Sequence, residues 1–185
     1  MVQAYFQNLG FSAEDAGNIA AKFVRQELEK NDLFVKEGKT SRQIAFLEKG
    51  LLQYYSITEN GEERTTYVTL PNNFAASLLS YLSEVPARES IRAIADAVIW
   101  TIDKKEVQAL QQDLPGFNAF YIGLLEWQIC CIDKGKIDLI TLSAEDRYAK
   151  MMKEEPEILQ QVPLQYIASM MGMTPRHLSR LRGKM

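Results

Sequence analysis

Pro163-Leu164-Gln165-Tyr166-Ile167-Ala168-Ser169-Met170-Met171-Gly172-Met173-Thr174-Pro175-Arg176-His177-Leu178-Ser179-Arg180-Leu181 reads as two short helices joined by a tight turn. Ile167, Ala168, Met171, Met173, Leu178 and Leu181 are spaced for helices that cross over a small core. Ala168 is small where the helices must approach. Gly172 can take the left-handed backbone that the turn needs. Thr174 then caps the second helix, and Pro175 opens it at the position where a missing N–H costs nothing. The outward positions become Arg176, His177, Ser179, Arg180 and Gly183. The pattern predicts a helix-turn-helix whose second helix presents donors near its N-terminus, where base edges in a major groove are reached. Arg176 and Arg180 lie at i, i+4 on one face, and each can fork onto guanine O6 and N7 or onto a phosphate. Thr174, Ser179 and the free N–H groups at the helix start can donate to phosphate. The competing reading is a helical hairpin inside a bundle. Such a hairpin normally balances its exposed cations with acids at i, i+4, and this one has only cations.

Charge along the chain agrees. The net charge of the 185 residues is −3, yet residues 163–185 carry +4 through Arg176, Arg180, Arg182 and Lys184, leaving −7 on the rest. A basic tail on an acidic body points to a polyanion partner, or else to a helix ending in cations that suit its own dipole. With 46% apolar and 24% charged residues, the composition is that of a globular protein and excludes collagen-like, mucin-like and disordered classes. No apolar run approaches the length of a bilayer span, and Met1 to Gln7 has no basic-then-apolar leader pattern. Adjacent Cys130 and Cys131 cannot form a disulfide framework. They are expected to be buried, unreactive helix residues. A cytoplasmic location is expected.

Upstream of the helical tail, residues 23–102 read as short strands. Leu33 and Val35, Ile44 to Leu47 and Leu51 to Ile57 are separated by turn-like Lys36 to Lys39 and Glu48 to Gly50. Glu59-Asn60-Gly61-Glu62 is the clearest local signal, predicting a type I′ hairpin from Gln53–Ile57 to Arg64–Leu70. In the second arm Thr65, Tyr67 and Thr69 alternate against Thr66, Val68 and Leu70. Phe74 to Leu82 reads as a short helix, and Ile91 to Ile102 as strand broken near Ala95-Asp96. This spacing predicts a β-sandwich or rolled barrel. Ser12 caps a short helix expected to run to about Lys22, and Ser143 caps another to about Lys153. Leu114-Pro115-Gly116 divides a short helix from a long one, on which Phe120, Leu124, Trp127 and Cys131 form a heptad-like stripe. That stripe fits either a seam between two copies or a helix laid on its own domain.

Catalytic constellations are missing from the pattern. His177 is the only histidine, which removes histidine metal clusters, cupin-type metal chemistry and a Ser-His-Asp triad. There is no phosphate loop with its lysine. Met151, Met152, Met170, Met171 and Met173 fall at helical packing positions and read as core. Neither an enzyme nor a cofactor or metal is expected.

Ser143 to Tyr148, Val162-Pro163, Ile167-Ala168, Gly172 to Pro175 and Leu178 to Arg180 together resemble the C-terminal module of Crp/Fnr-type transcription regulators, in the variety common in Bacteroidetes-like bacteria. Lys36 to Gly38, Phe46 to Gly50, the Asn60-Gly61 hairpin and the long helix extend the likeness over nearly the whole chain. The resemblance implies an α+β protein. An N-terminal β-roll with flanking helices (residues 1–113) resembles a cyclic nucleotide-binding domain. A long dimerisation helix (114–140) and a C-terminal helix-turn-helix domain of winged-helix-like type (141–185) follow it. It implies a homodimer joined at Phe120, Leu124, Trp127 and Cys131, and DNA contacts from Thr174, Pro175, Arg176, His177, Ser179, Arg180 and Arg182. Base reading would fall to Pro175, Arg176, Ser179 and Arg180, and many relatives have glutamate where Arg176 stands. Partners implied are double-stranded DNA, RNA polymerase and an unknown small-molecule effector, with no membrane. Cyclic nucleotide-binding relatives hold the ribose with a Gly-Glu pair and the phosphate with an Arg-Ser pair. Here Ala76-Ser77 stands in the first place, and Arg88 sits beside Glu89 near the second. Ser77, Arg88 and Glu89 are the effector-pocket candidates, and cyclic AMP is not expected to bind. The alternative function is a sensor whose helical tail contacts a protein rather than DNA.

Overall fold

The computed structural model describes residues 1–183; Lys184, counted in the basic tail, lies outside the described residues. Eight strands form two antiparallel sheets. They are β1 (Val24–Leu28), β2 (Leu33–Val35), β3 (Gln43–Lys49), β4 (Leu52–Ile57), β5 (Glu63–Thr69), β6 (Phe74–Ala75), β7 (Ser90–Ala93) and β8 (Ala97–Asp103). One sheet runs β1-β8-β3-β6 and the other β2-β7-β4-β5. Ala45, Leu47, Leu52, Ile91, Ala93 and Ile99, all fully buried, fill the space between them. Alanines interleave with leucine and isoleucine there, so the two inner faces interdigitate.

The β4–β5 hairpin forms where its turn signal stands, but the turn is not type I′. Only Gly61 is left-handed, at φ 78°; Asn60 is not. The Gly61 N–H donates to the Thr58 carbonyl at 2.8 Å, and the Thr58 N–H to the Glu62 carbonyl at 2.9 Å. This is a type I turn closed by a left-handed glycine. The Thr58 hydroxyl oxygen accepts the Glu62 N–H at 3.1 Å and so favours the wider loop. A bulge between Tyr54 and Tyr55 shifts the register, so Thr65 and Val68 are buried while Thr66 and Tyr67 face out. The simple alternation expected for this arm is therefore broken by one inserted residue.

Helix α1 (Val2–Asn8) has no side-chain cap and no acid in its first turn. Burial of Val2 and Phe6 holds it, with the Phe6 ring edge-on to Phe11 and Phe120. Helix α2 (Ala13–Ala20) starts on the expected cap, Ser12 Oγ accepting the Asp15 N–H at 3.0 Å, and ends two residues short of Lys22. Phe74 begins no helix. Asn72 turns the chain at φ 66°, and Phe74 and Ala75 pair with Phe46 and Ala45 as β6. Helix α3 (Leu78–Ser83) follows. Helices α4 (Lys104–Asp113) and α5 (Pro115–Thr141) meet at Leu114, as expected from Pro115. With α1 and α2 they cover the outer face of the first sheet at Ile44, Phe46 and Ile102. The break between β7 and β8 falls at Ala95-Asp96, where the sequence places it.

The chain closes with α6 (Ala144–Glu154), α7 (Pro156–Gln161), α8 (Leu164–Met171) and α9 (Pro175–Arg182). Among the described residues no strand follows β8, so the wing implied by the family resemblance is not found there. All five methionines named above pack in the core of this module. No helix among the described residues is long and apolar enough to cross a membrane.

Gly50 joins β3 to β4 at φ 93°, and a Cβ there would lie 2.6 Å from the Ala97 Cβ and 2.7 Å from the Asp96 carbonyl. Gly50→Ala combines a left-handed backbone penalty of about 1–2 kcal/mol with overpacking of about 1–3 kcal/mol. The expected result is a loss of at least about 2 kcal/mol in urea unfolding, and Gly61→Ala, which meets no atom within 4 Å, should cost less.

Candidate nucleic-acid interface and effector cavity

Helices α8 and α9 build the helix-turn-helix as the sequence reads. Gly172 ends α8 at φ 71°, and Thr174 Oγ1 accepts the His177 N–H at 3.2 Å to start α9. Ile167, Ala168 and Leu178 are fully buried between them. On the outer face Arg176, Ser179 and Arg180 are exposed. Among the described residues neither arginine has an ion pair or side-chain hydrogen bond. His177 is exposed but leans to α6, its Nε2 3.1 Å from the Glu145 carboxylate.

Arg182 departs from its expected role. Its Nε donates to the Tyr148 hydroxyl at 2.8 Å and its guanidinium reaches the Leu159 carbonyl at 3.4 Å. Two residues beyond Arg180 is roughly 200° around the helix, so its side chain turns inward as a brace. Arg147 braces the other side, donating to the Leu142 and Met171 carbonyls.

The module is docked on the roll. The Thr65 N–H of β5 donates to Ser169 Oγ at 2.9 Å, and Val68, Leu70 and Ile94 share one core with Tyr148, Ile158 and Ile167.

Helix α5 separates the four residues of the expected seam. Phe120 packs against Phe6, Phe11, Phe74 and Phe117 of its own chain. Leu124, Trp127 and Cys131 line a cavity of about 610 Å³ between α5 and the roll. Phe120 is taken by the aromatic cluster under α1 and Leu124 is half-buried, whereas Trp127, 56% exposed, sits at the cavity rim. Ile122, Ile129, Ile132 and Leu139 form a further apolar stripe that is exposed, with Ile132 also at the cavity edge. Cys130 and Cys131 are exposed too, contrary to the burial expected of them. Partial burial and the nearby Glu155 carboxylate push the Cys131 thiol up.

Of the three effector candidates, Glu89 alone lines this cavity. Ser77 is buried and donates to the Glu89 carboxylate at a long 3.4 Å. Arg88 is exposed and does not reach the cavity or pair with Glu89. Sequence reasoning missed the wall: Tyr54, Tyr67, Phe74, Tyr81 and Tyr121 come from five separate elements. The Tyr54 hydroxyl accepts the Ala76 N–H at 3.0 Å, while the buried Tyr81 hydroxyl has no well-formed hydrogen bond among the described residues. Burial raises Tyr54 and Tyr81 above the usual phenol range.

Burial also pushes the Glu89 carboxyl up, partly offset by Ser77. Native Glu89 therefore holds its proton to higher pH than the unfolded chain does. Its contribution to stability is present in acid and lost as pH rises from the ordinary carboxylate range through the raised value. Glu89→Gln should flatten that decline in Tm, as followed by calorimetry across pH.

Residues 25–113 match the family model for the cyclic nucleotide-binding domain. No curated protein matches the chain. Among solved structures it is similar to FixK2 from Bradyrhizobium japonicum, with TM-score 0.74, 13% identity, 88% of this chain and 83% of that one covered. It is also similar to the c-di-GMP responsive regulator CLP of Xanthomonas campestris (TM-score 0.68, 15% identity, 94% and 91% covered). A third is the catabolite activator protein of Thermus thermophilus (TM-score 0.62, 19% identity, 95% and 84% covered). Residues 25–113 thus resemble a cyclic nucleotide-binding domain, and the chain as a whole has the fold of the Crp/Fnr-type regulators.

Proposed function

We propose that this chain is a dimeric, sequence-specific DNA-binding transcription regulator with a sensor pocket that has lost the cyclic nucleotide contacts. The observation that carries the reading is the pair of exposed, unpartnered arginines, Arg176 and Arg180, one turn apart on a capped second helix. A helix held rigidly by its own core, with its cations left over, is built to meet an anion in a groove. Thr174 and Pro175 set the start of that helix and Ser179 adds a donor on the same face. His177 is a weaker contributor, since Glu145 competes for it.

The dimer seam is placed on Ile122, Leu125, Ile129, Ile132, Lys136 and Leu139, which alternate three and four apart along α5 beside the exposed Trp127 and Cys131 of the first stripe. That spacing keeps one stripe facing a partner helix, and a lysine at one such position fixes register.

The test is fluorescence anisotropy of the full chain on duplex DNA from its own promoter region, between about 50 and 200 mM salt. A regulator with several phosphate contacts per dimer should lose about 10³-fold or more in affinity over that range. Salt-independent or absent binding would favour the alternative, a tail that docks on protein.

A further inference from the structure

We propose that the cavity between the roll and α5 binds a small organic cation, an ammonium carried on an aromatic or alkyl body, and not a nucleotide. The proposal relies on the regulator reading only for what the ligand would be used for; binding itself is separate.

Charge is the first argument. Among the described residues the cavity lining contains one carboxylate, Glu89, and no lysine, arginine or histidine. Glu89 forms no ion pair among these residues; its one side-chain contact is the long one from Ser77. A carboxylate held in an apolar wall without a counter-ion is costly, and a bound ammonium supplies the missing charge. Burial already pushes this carboxyl up, which is the direction a site awaiting a cation should show.

The walls are the second argument. Tyr54, Tyr67, Phe74, Tyr121 and Trp127 offer ring faces and edges around the carboxylate, and ring faces attract ammonium groups. Tyr81 adds a buried hydroxyl beside that of Tyr121, with no well-formed hydrogen bond among the described residues. About 610 Å³ is ample for an amine on an aromatic ring.

An anion meets the opposite conditions. Arg88 lies outside the cavity. The Ala76 N–H, a backbone donor on the cavity wall, is already given to the Tyr54 hydroxyl. Glu89 repels what remains.

The experiment is thermal shift and calorimetric titration on the full-length protein. The probes are tryptamine, phenethylamine and benzyltrimethylammonium, with tryptophol and 2-phenylethanol as neutral counterparts and cyclic AMP as the anion. At hundredfold excess over Kd, at least one cation should raise Tm by about 5–10 °C, and cyclic AMP should not. Glu89→Gln should weaken that cation at least about tenfold while leaving the neutral alcohol unchanged. Should Glu89→Gln fail to fold, Trp127→Leu at the exposed rim should still weaken the cation about three- to tenfold. Failure of all three cations, tighter binding of cyclic AMP, or undiminished affinity in these variants overturns the proposal. DNA affinity, measured on the ligand-free protein, reports on the regulator reading by itself.

Discussion

Arg180→Ala is expected to abolish specific DNA binding while leaving the helical module folded. The side chain is exposed and holds no other group among the described residues, so its removal opens no cavity and strands no partner. A bidentate arginine–guanine contact is worth about 1–3 kcal/mol, and a symmetric dimer loses it twice, which is about thirty-fold to twenty-thousand-fold in affinity. Circular dichroism and Tm should match the parent. Arg182→Ala is the control from the same helix. It removes a brace to Tyr148 and Leu159, so it should lower Tm first and affect DNA through the fold. If Arg180→Ala bound the promoter as tightly as the parent, this face would not be the reading face.

A second large effect should come from Ile129→Glu. Ile129 is 62% exposed in the single chain and sits centrally on the outward stripe. In a dimer it meets its counterpart, so one substitution places two carboxylates in a dry seam. Burying unpaired charge costs several kcal/mol, enough to weaken dimerisation by about 10²- to 10⁴-fold. Light scattering should show a folded monomer. Trp127→Glu, at the rim between the cavity and that stripe, should weaken the dimer less. An unchanged dimer for Ile129→Glu would move the interface elsewhere.

Those two tests rest on a distinction that the sequence alone could not make. Helix α5 carries apolar residues on two faces, and both Phe120-Leu124-Trp127-Cys131 and Ile122-Leu125-Ile129-Ile132 fit heptad spacing. Periodicity reports that a face is covered, not by what. The partner of Phe120 is an aromatic cluster that includes α1, and α1 announces itself by neither cap nor first-turn charge. The helix-turn-helix was legible because every element of it is local: Gly172, Thr174 and Pro175 act within four residues of themselves. The same holds for the hairpin, whose place was readable, although its turn type depended on the Thr58 side chain. The cavity was not legible, since its wall comes from segments as distant as Tyr54 and Tyr121. Arg88 illustrates the limit: adjacent in sequence to Glu89, it points away from the space that Glu89 lines.

The pairing of β1 with β8 also governs how the chain is made. Val24 lies opposite Thr101, 77 positions later. At about 5–20 residues per second, a ribosome takes about 4–15 s to deliver the partner of a strand it has already released. Through that interval β1 presents an open edge, and the sheet it belongs to cannot close. Strands β4 and β5 need only their own short loop and can pair at once. The nascent chain therefore begins from its middle hairpin, with its first-made strand among the last to be sheltered. An exposed edge of that kind is where chaperones find a grip and where neighbouring nascent chains can pair wrongly. Slowing translation after residue 70 should raise aggregation of this protein, and slowing it after residue 110 should not.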